Sequence, residues 1–128
     1  MMETQYTDIT KAVTRIGSSL IVTLPAEWTD DCIGDIEHAL LQGAYGSGIT
    51  GAILNFAMVG MIDSCIYRAM LKLSKAIGLL GVRVVWAGLS PGVVCALVDL
   101  GVPLYDKAIV TVSSLEQGLG FLERQAAK

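Results

Sequence analysis

The chain has 128 residues, 53% of them hydrophobic and 16% charged, and a formal net charge of −3. That is the size and composition of one globular domain, large enough to bury a core without staples and too apolar to be disordered. Mild acidity without a basic block argues against a nucleic-acid partner, and apolar runs broken well before about 18 residues argue against a membrane span.

From the N-terminus, Met1 to Asp8 is polar and lacks the apolar stretch of a secretory signal, so the expected compartment is the cytoplasm. Ile9 to Ile16 alternates, and Ser19 to Leu24 is apolar and β-branched. Gly17-Ser18 between them predicts a hairpin turn, and Pro25 ends the second strand. Thr29-Asp30-Asp31 is a helix start, after which Cys32, Ile33, Ile36, Ala39 and Leu40 share one helical face up to about Gln42-Gly43. Gly51 to Phe56 reads as a buried central strand. Ala57 to Ile62 is a loop, and Asp63-Ser64 opens a second helix running to about Leu80-Gly81. Arg83 to Ala87 is another buried strand. Ser90-Pro91 starts a third helix that ends near Leu100-Gly101, by a capping hydroxyl followed by proline. Val102 to Tyr105 is the expected short edge strand. Ser113 to Glu116 fits a capping box that begins a last helix to about Arg124. The order β-β-α-β-α-β-α-β-α predicts a single α/β domain with a mostly parallel mixed sheet and an antiparallel edge.

The second helix carries most of the functional information. On a 3.6-residue period, Ile66, Ala69, Met70, Leu73, Ala76, Ile77 and Leu80 form a stripe expected to face the core. Ser64, Arg68, Lys72 and Lys75 fall on the opposite side, while Tyr67, Leu71 and Leu79 point away from the stripe's centre. Ser64 is thus expected at an exposed helix start, where unpaired N–H groups and the helix dipole favour an anion. A phosphate there would have Arg68 one turn away, opposed by the like charge of Asp63. The plainer reading makes Asp63 and Ser64 ordinary helix caps. Tyr67, Leu71 and Leu79, with Lys72 and Lys75, form a candidate partner surface, although scattered surface apolar residues are common.

Other constellations are weaker. Gly46 to Gly51 has the G-x-G-x-x-G spacing of a dinucleotide loop, but follows a helix and opens a strand, the reverse of the required context. Asp30, Asp31, Asp35 and Glu37 read as dipole-favoured solvating charges, and Ser90 as a cap. His38 lies on a polar face without a nucleophile partner. The scattered Cys32, Cys65 and Cys95 form neither a disulfide framework nor, with one histidine, a metal site. No catalytic residue, metal or cofactor is expected.

The element order together with Met61-Ile62-Asp63-Ser64 resembles the STAS domain of anti-sigma-factor antagonists, in which an Asp-Ser pair after the central strand opens the second helix. The likeness runs from about Ile9 to Arg124 and is greatest to the stressosome scaffold, or RsbS, type. Ser19 to Leu24 with Trp28, Met61 to Ile66, Gly88-Leu89-Ser90-Pro91, Asp99-Leu100-Gly101 and Leu115 to Leu119 carry it. Asn55 stands where many members have Asp, and Cys65-Ile66 where many have Ser-Gly.

The resemblance implies a stand-alone, non-catalytic STAS chain. It would form a homodimer and a large assembly with co-antagonist STAS paralogues of the RsbR type. That assembly would sequester a switch serine kinase of the RsbT type. Phosphorylation of Ser64 would release the kinase, and a PP2C-like, metal-dependent phosphatase would reset the site. Two alternatives remain at this level: a simple antagonist that binds an anti-sigma kinase directly, and a small-molecule or nucleotide-binding α/β module.

Overall fold

The computed structural model describes residues 13–28, 30–44, 48–101 and 109–126. Strands β1 (Val13–Ile16) and β2 (Ser19–Thr23) pair antiparallel, with Ile16 opposite Ser19. Gly17, at φ 60, supplies the left-handed residue that so tight a hairpin needs. There follow α1 (Asp30–Ala44), β3 (Gly51–Asn55), α2 (Ser64–Gly78), β4 (Arg83–Ala87), α3 (Pro91–Leu100), β5 (Ile109–Val112) and α4 (Leu115–Ala126). This is the element order expected from the sequence.

The strands lie in one sheet in chain order, β1-β2-β3-β4-β5, and β2 through β5 run parallel. Crossovers of one hand between successive neighbours must place their helices on the same face of the sheet. Ile36 and Leu40 of α1, Met70 and Ile77 of α2, and Val93 and Leu97 of α3 accordingly share one buried cluster with Leu20, Val22, Leu54, Val84 and Trp86. The alternate strand residues Ile21, Ile53, Val85 and Ala87 point to the opposite face, under α4. The register is continuous across the sheet: Ile21 lies beside Ile53, Ile53 beside Val85, and Val85 beside Val110. Central strands buried on both sides explain why Gly51–Asn55 and Arg83–Ala87 read as unbroken apolar runs.

Helix α4 approaches the sheet closely because two glycines leave room. A Cβ on Gly118 would lie 3.1 Å from Ile53 Cδ1 and 3.5 Å from Val85 Cγ1. A Cβ on Gly51 would lie 2.7 Å from Leu122 Cδ1. The helix starts one residue later than the expected capping box. Ser114 Oγ accepts from Gln117 N at 3.2 Å, and Gln117 Oε1 accepts from Ser113 N at 3.1 Å and from Ser113 Oγ at 2.7 Å.

Three expectations need correction. The fifth strand is Ile109–Val112, paired to β4; Val102 to Tyr105, expected to form it, lies outside the described residues. Tyr67 is buried at 5% exposure, while Leu80 is 46% exposed. Leu80 follows the end of α2 and its cap at Leu79, so the helical wheel no longer governs it. The inner face of α2 is centred on Met70, Leu73 and Ile77, with Tyr67 and Ser74 beside them. The mean direction of these five residues is rotated by about 60° from the expected stripe, on 100° per residue.

Replacing Gly118 with valine should force α4 away from Ile53 and Val85 and destabilise the fold by about 1–3 kcal/mol. Urea denaturation checks this, with Gly120→Ala, on the outer side of the same helix, as the mild comparison.

Candidate functional site

Three segments meet at the carboxyl ends of β3 and β4, the edge of a parallel sheet where α/β proteins place their sites. The first is the loop from Phe56 to Ile62. Its backbone is tied down at Phe56 N, which donates to Ala87 O at 2.8 Å, and at Val59 N, which donates to Phe56 O at 2.9 Å. Phe56, Val59 and Ile62 anchor it in the core, whereas Met58 and Met61 stand 61% and 83% exposed. Asn55, at the end of β3, accepts from Ala57 N through Oδ1 at 3.1 Å. At this position, therefore, the side chain shapes the loop. The second segment is the turn after β4. Gly88 has φ 79, and a Cβ there would lie 3.2 Å from Ala57 N and 3.4 Å from Asn55 Oδ1. Glycine is required both by that conformation and by the close approach of the two loops.

The third segment is the start of α2. Asp63 is the N-cap, and its Oδ1 accepts from Ile66 N at 2.8 Å. Ser64 is the first helical residue and is half-buried, where the sequence pattern predicts an exposed position; the neighbouring Asp63 and Cys65 are the exposed ones. Capping therefore falls to Asp63, and the Ser64 hydroxyl is not the group that closes the helix end. Ser90 behaves in the opposite way. Its Oγ caps α3 by accepting from Val93 N at 3.2 Å. Of the two serines at helix starts, Ser90 is committed to structure and Ser64 is not.

Beyond Ser64 the exposed face of α2 presents Arg68, Lys72, Lys75 and Leu79, the last 88% exposed. On the helical wheel these residues and Ser64 fall within an arc of about 80°. Leu71 is half-buried against the core and lies at the margin of this ridge. Of the candidate partner surface, Tyr67 must be removed. It packs edge-on against Trp86, with ring centroids 5.8 Å apart at 84°, and Trp86 in turn meets Phe56 at 4.9 Å.

The anchoring of this helix has no local signature in the sequence. Trp86 Nε1 donates to Ser74 Oγ at 2.9 Å, and Ser74 Oγ donates to Met70 O at 2.8 Å. Ser74 is 0% exposed and fully satisfied, which explains how a serine occupies the apolar face. A serine in mid-helix and a tryptophan on a later strand give no local sign of pairing.

The remaining candidates do not converge on a site. Gly48 and Gly51 lead into the amino end of β3, at the far end of the sheet from Ser64; Gly46 and Ser47 lie outside the described residues. Thr50 there bonds Ser18 through its backbone at 2.8 Å and through its hydroxyl at 3.1 Å. The loop thus enters a strand, and a phosphate would meet no helix start. His38 and Asp31 are exposed on α1, where Asp35 and Glu37 are half-buried. Cys32 is half-buried, while Cys65 and Cys95 are exposed. No metal-binding cluster occurs among the described residues, and no helix among them is long and apolar enough to cross a membrane.

The STAS domain family model matches residues 10–113, spanning the sheet, the first three helices and the Asp63-Ser64 start. The chain belongs to the STAS domain family. Solved structures agree on the fold. A serine-to-glutamate variant of RsbS from Moorella thermoacetica aligns with TM-score 0.76 and 22% identity, over 91% of this chain and 97% of that one. A chain from the molecular architecture of the stressosome, a signal integration and transduction hub, aligns with TM-score 0.76 and 22% identity, over 91% of this chain and 99% of that one. The anti-sigma factor antagonist SpoIIAA in its unphosphorylated form aligns with TM-score 0.63 and 14% identity, over 91% of this chain and 97% of that one. A sequence search of curated proteins returns no match.

In this STAS domain, Asp63→Ala should cost about 1 kcal/mol of stability through loss of the helix cap. Ser64→Ala, beside it, should cost no more than a few tenths. Thermal or urea unfolding of the two variants checks the division of labour; equal losses would mean that Ser64 also holds the helix end.

Proposed function

We propose that this STAS domain is a non-catalytic scaffold and phosphorylation switch of a bacterial stress-signalling assembly, with Ser64 as the phospho-acceptor. The observation that carries the reading is the split between neighbours. Asp63 caps α2, so the Ser64 hydroxyl can be modified without dismantling the helix start. In the transfer, Ser64 Oγ takes the γ-phosphoryl of ATP in the kinase's active site. The bond to the ADP oxygen breaks, and the hydroxyl proton passes to the kinase's base.

The product carries a charge of about −1.5 to −2 at neutral pH. It sits at the amino end of a 15-residue helix, whose dipole and free N–H groups stabilise an anion. Arg68, exposed one turn on, can turn toward it, while Asp63 repels it. The modification therefore recasts the charge of the ridge while Tyr67 and Trp86 hold the helix in place beneath it. An assembly of this chain with RsbR-type paralogues would hold an RsbT-type serine kinase until that change lowers its affinity. A PP2C-like phosphatase would restore the unmodified surface. The structural likeness to RsbS and to a stressosome chain supports this reading. The likeness to SpoIIAA supports a second reading, in which the same serine governs direct one-to-one binding of an anti-sigma kinase.

Incubation with the switch kinase and ATP should place a single phosphate on Ser64 by mass spectrometry, and Ser64→Ala should abolish it. Ser64→Asp should weaken kinase binding by about tenfold or more, the scale of a like charge set into a complementary interface. A kinase that is active on a control substrate and leaves Ser64 unmodified would contradict the proposal. Sizing with the paralogue separates a large assembly from a one-to-one complex.

A further inference from the structure

We infer that the outer ridge of α2 docks a carboxylate-rich surface of its protein partner, so that recognition is electrostatic and Ser64 lies at the end of the contact strip. The inference rests on the switch reading and adds the chemistry of the partner. Charge is sorted by helix in this fold. The acids of α1 are Asp30, Asp31, Asp35 and Glu37, with no Lys or Arg. The charged residues of α2 are Arg68, Lys72 and Lys75, with no acid within the helix. A cationic ridge thus stands on a chain whose net charge is −3.

All three cations are exposed, and neither Arg68 nor Lys72 is ion-paired among the described residues. The ridge runs about 22 Å from Ser64 to the exposed Leu79, at 1.5 Å per residue. That matches the span of a modest protein interface, with an apolar contact at one end and the switch serine at the other. Carboxylates facing Arg68 and Lys72 would speed encounter and fix register. A phosphate at Ser64 would then both repel those carboxylates and draw Arg68 away from them.

Other polyanions fit less well. Nucleic acid binding draws on a broad set of phosphate contacts, and anionic membranes on clusters of about four to eight cations. Three cations on one helix of an acidic chain provide neither.

The test is binding of the unmodified full chain to the purified switch kinase at rising salt. Affinity should fall by about tenfold between roughly 50 and 300 mM NaCl, mainly through the association rate. Arg68→Glu with Lys72→Glu should weaken binding by about tenfold or more at low salt and flatten the salt dependence. Arg68→Glu alone should still weaken binding by several-fold, whereas Arg124→Glu, the same single charge reversal at an exposed position of α4 across the sheet, should stay within about twofold. Circular dichroism should show all variants folded. Binding that is salt-independent and indifferent to the Arg68 and Lys72 substitutions overturns the ridge inference and leaves the switch reading standing. Absence of kinase binding at every salt concentration overturns both. If the substitutions alter self-association but not kinase affinity, the ridge meets the acidic α1 of a second copy, and the inference is wrong. If they abolish binding to RNA or anionic vesicles instead, it is equally wrong.

Discussion

The hydrogen bond from Trp86 to Ser74 is the interaction on which the rest of the site depends. It joins the middle of α2 to the inner strand β4 inside the core, where the indole N–H would otherwise be stranded. An unmet buried donor costs about 1–3 kcal/mol, so this pairing selects one rotational setting of the helix on the sheet. Tyr67 and Phe56 close around the same indole and bring the first turn of α2 and the end of β3 under the same constraint. Once the helix is set, Met70, Leu73 and Ile77 face inward, and Ser64, Arg68, Lys72, Lys75 and Leu79 face outward.

In the proposed switch, that setting would let Ser64 be modified without disturbing the fold beneath it. The loop before it is fastened by Phe56, Val59 and Ile62, and the helix end by Asp63. Gly88 lets the next loop close against Asn55 and Ala57. Little of the local backbone is free to respond to an added charge. On the proposal, a change at Ser64 would therefore be read by whatever touches the ridge. A STAS domain built in this way is suited to work as a surface that partners read.

Much of this was legible in the sequence because local rules and the fold agree. Ser90-Pro91 and Asp63-Ser64 marked helix starts by their caps, and the strand-helix alternation implied the parallel sheet. Sequence pattern and structure part where distant contacts override local rules. Hydropathy centres the stripe on residues such as Ala69 and Ala76, which turns the helix and leaves Tyr67 off the core; the indole of Trp86, twelve residues from Ser74, is what makes a buried serine favourable and sets the true face. A four-residue apolar run cannot show its register, so the sequence offers Val102 to Tyr105 as readily as Ile109–Val112 for the last strand, and Val102 to Tyr105 lies outside the described residues. The pairing of Val84 with Ile109 decides it. The phospho-acceptor reading of Ser64 came from the family likeness, since helix geometry alone equally fits a cap. The observed cap at Asp63 separates the two residues.

The central claim is that phosphate on Ser64 alters surface charge and leaves the packing intact. Two-dimensional amide NMR of the unmodified and Ser64-phosphorylated protein tests it most directly. The account predicts large shifts confined to the loop before α2 and its first turns. It predicts an unmoved Trp86 indole resonance and unchanged amide exchange protection at Val84 and Val85. A displaced indole resonance, or loss of protection in β3 and β4, would contradict it.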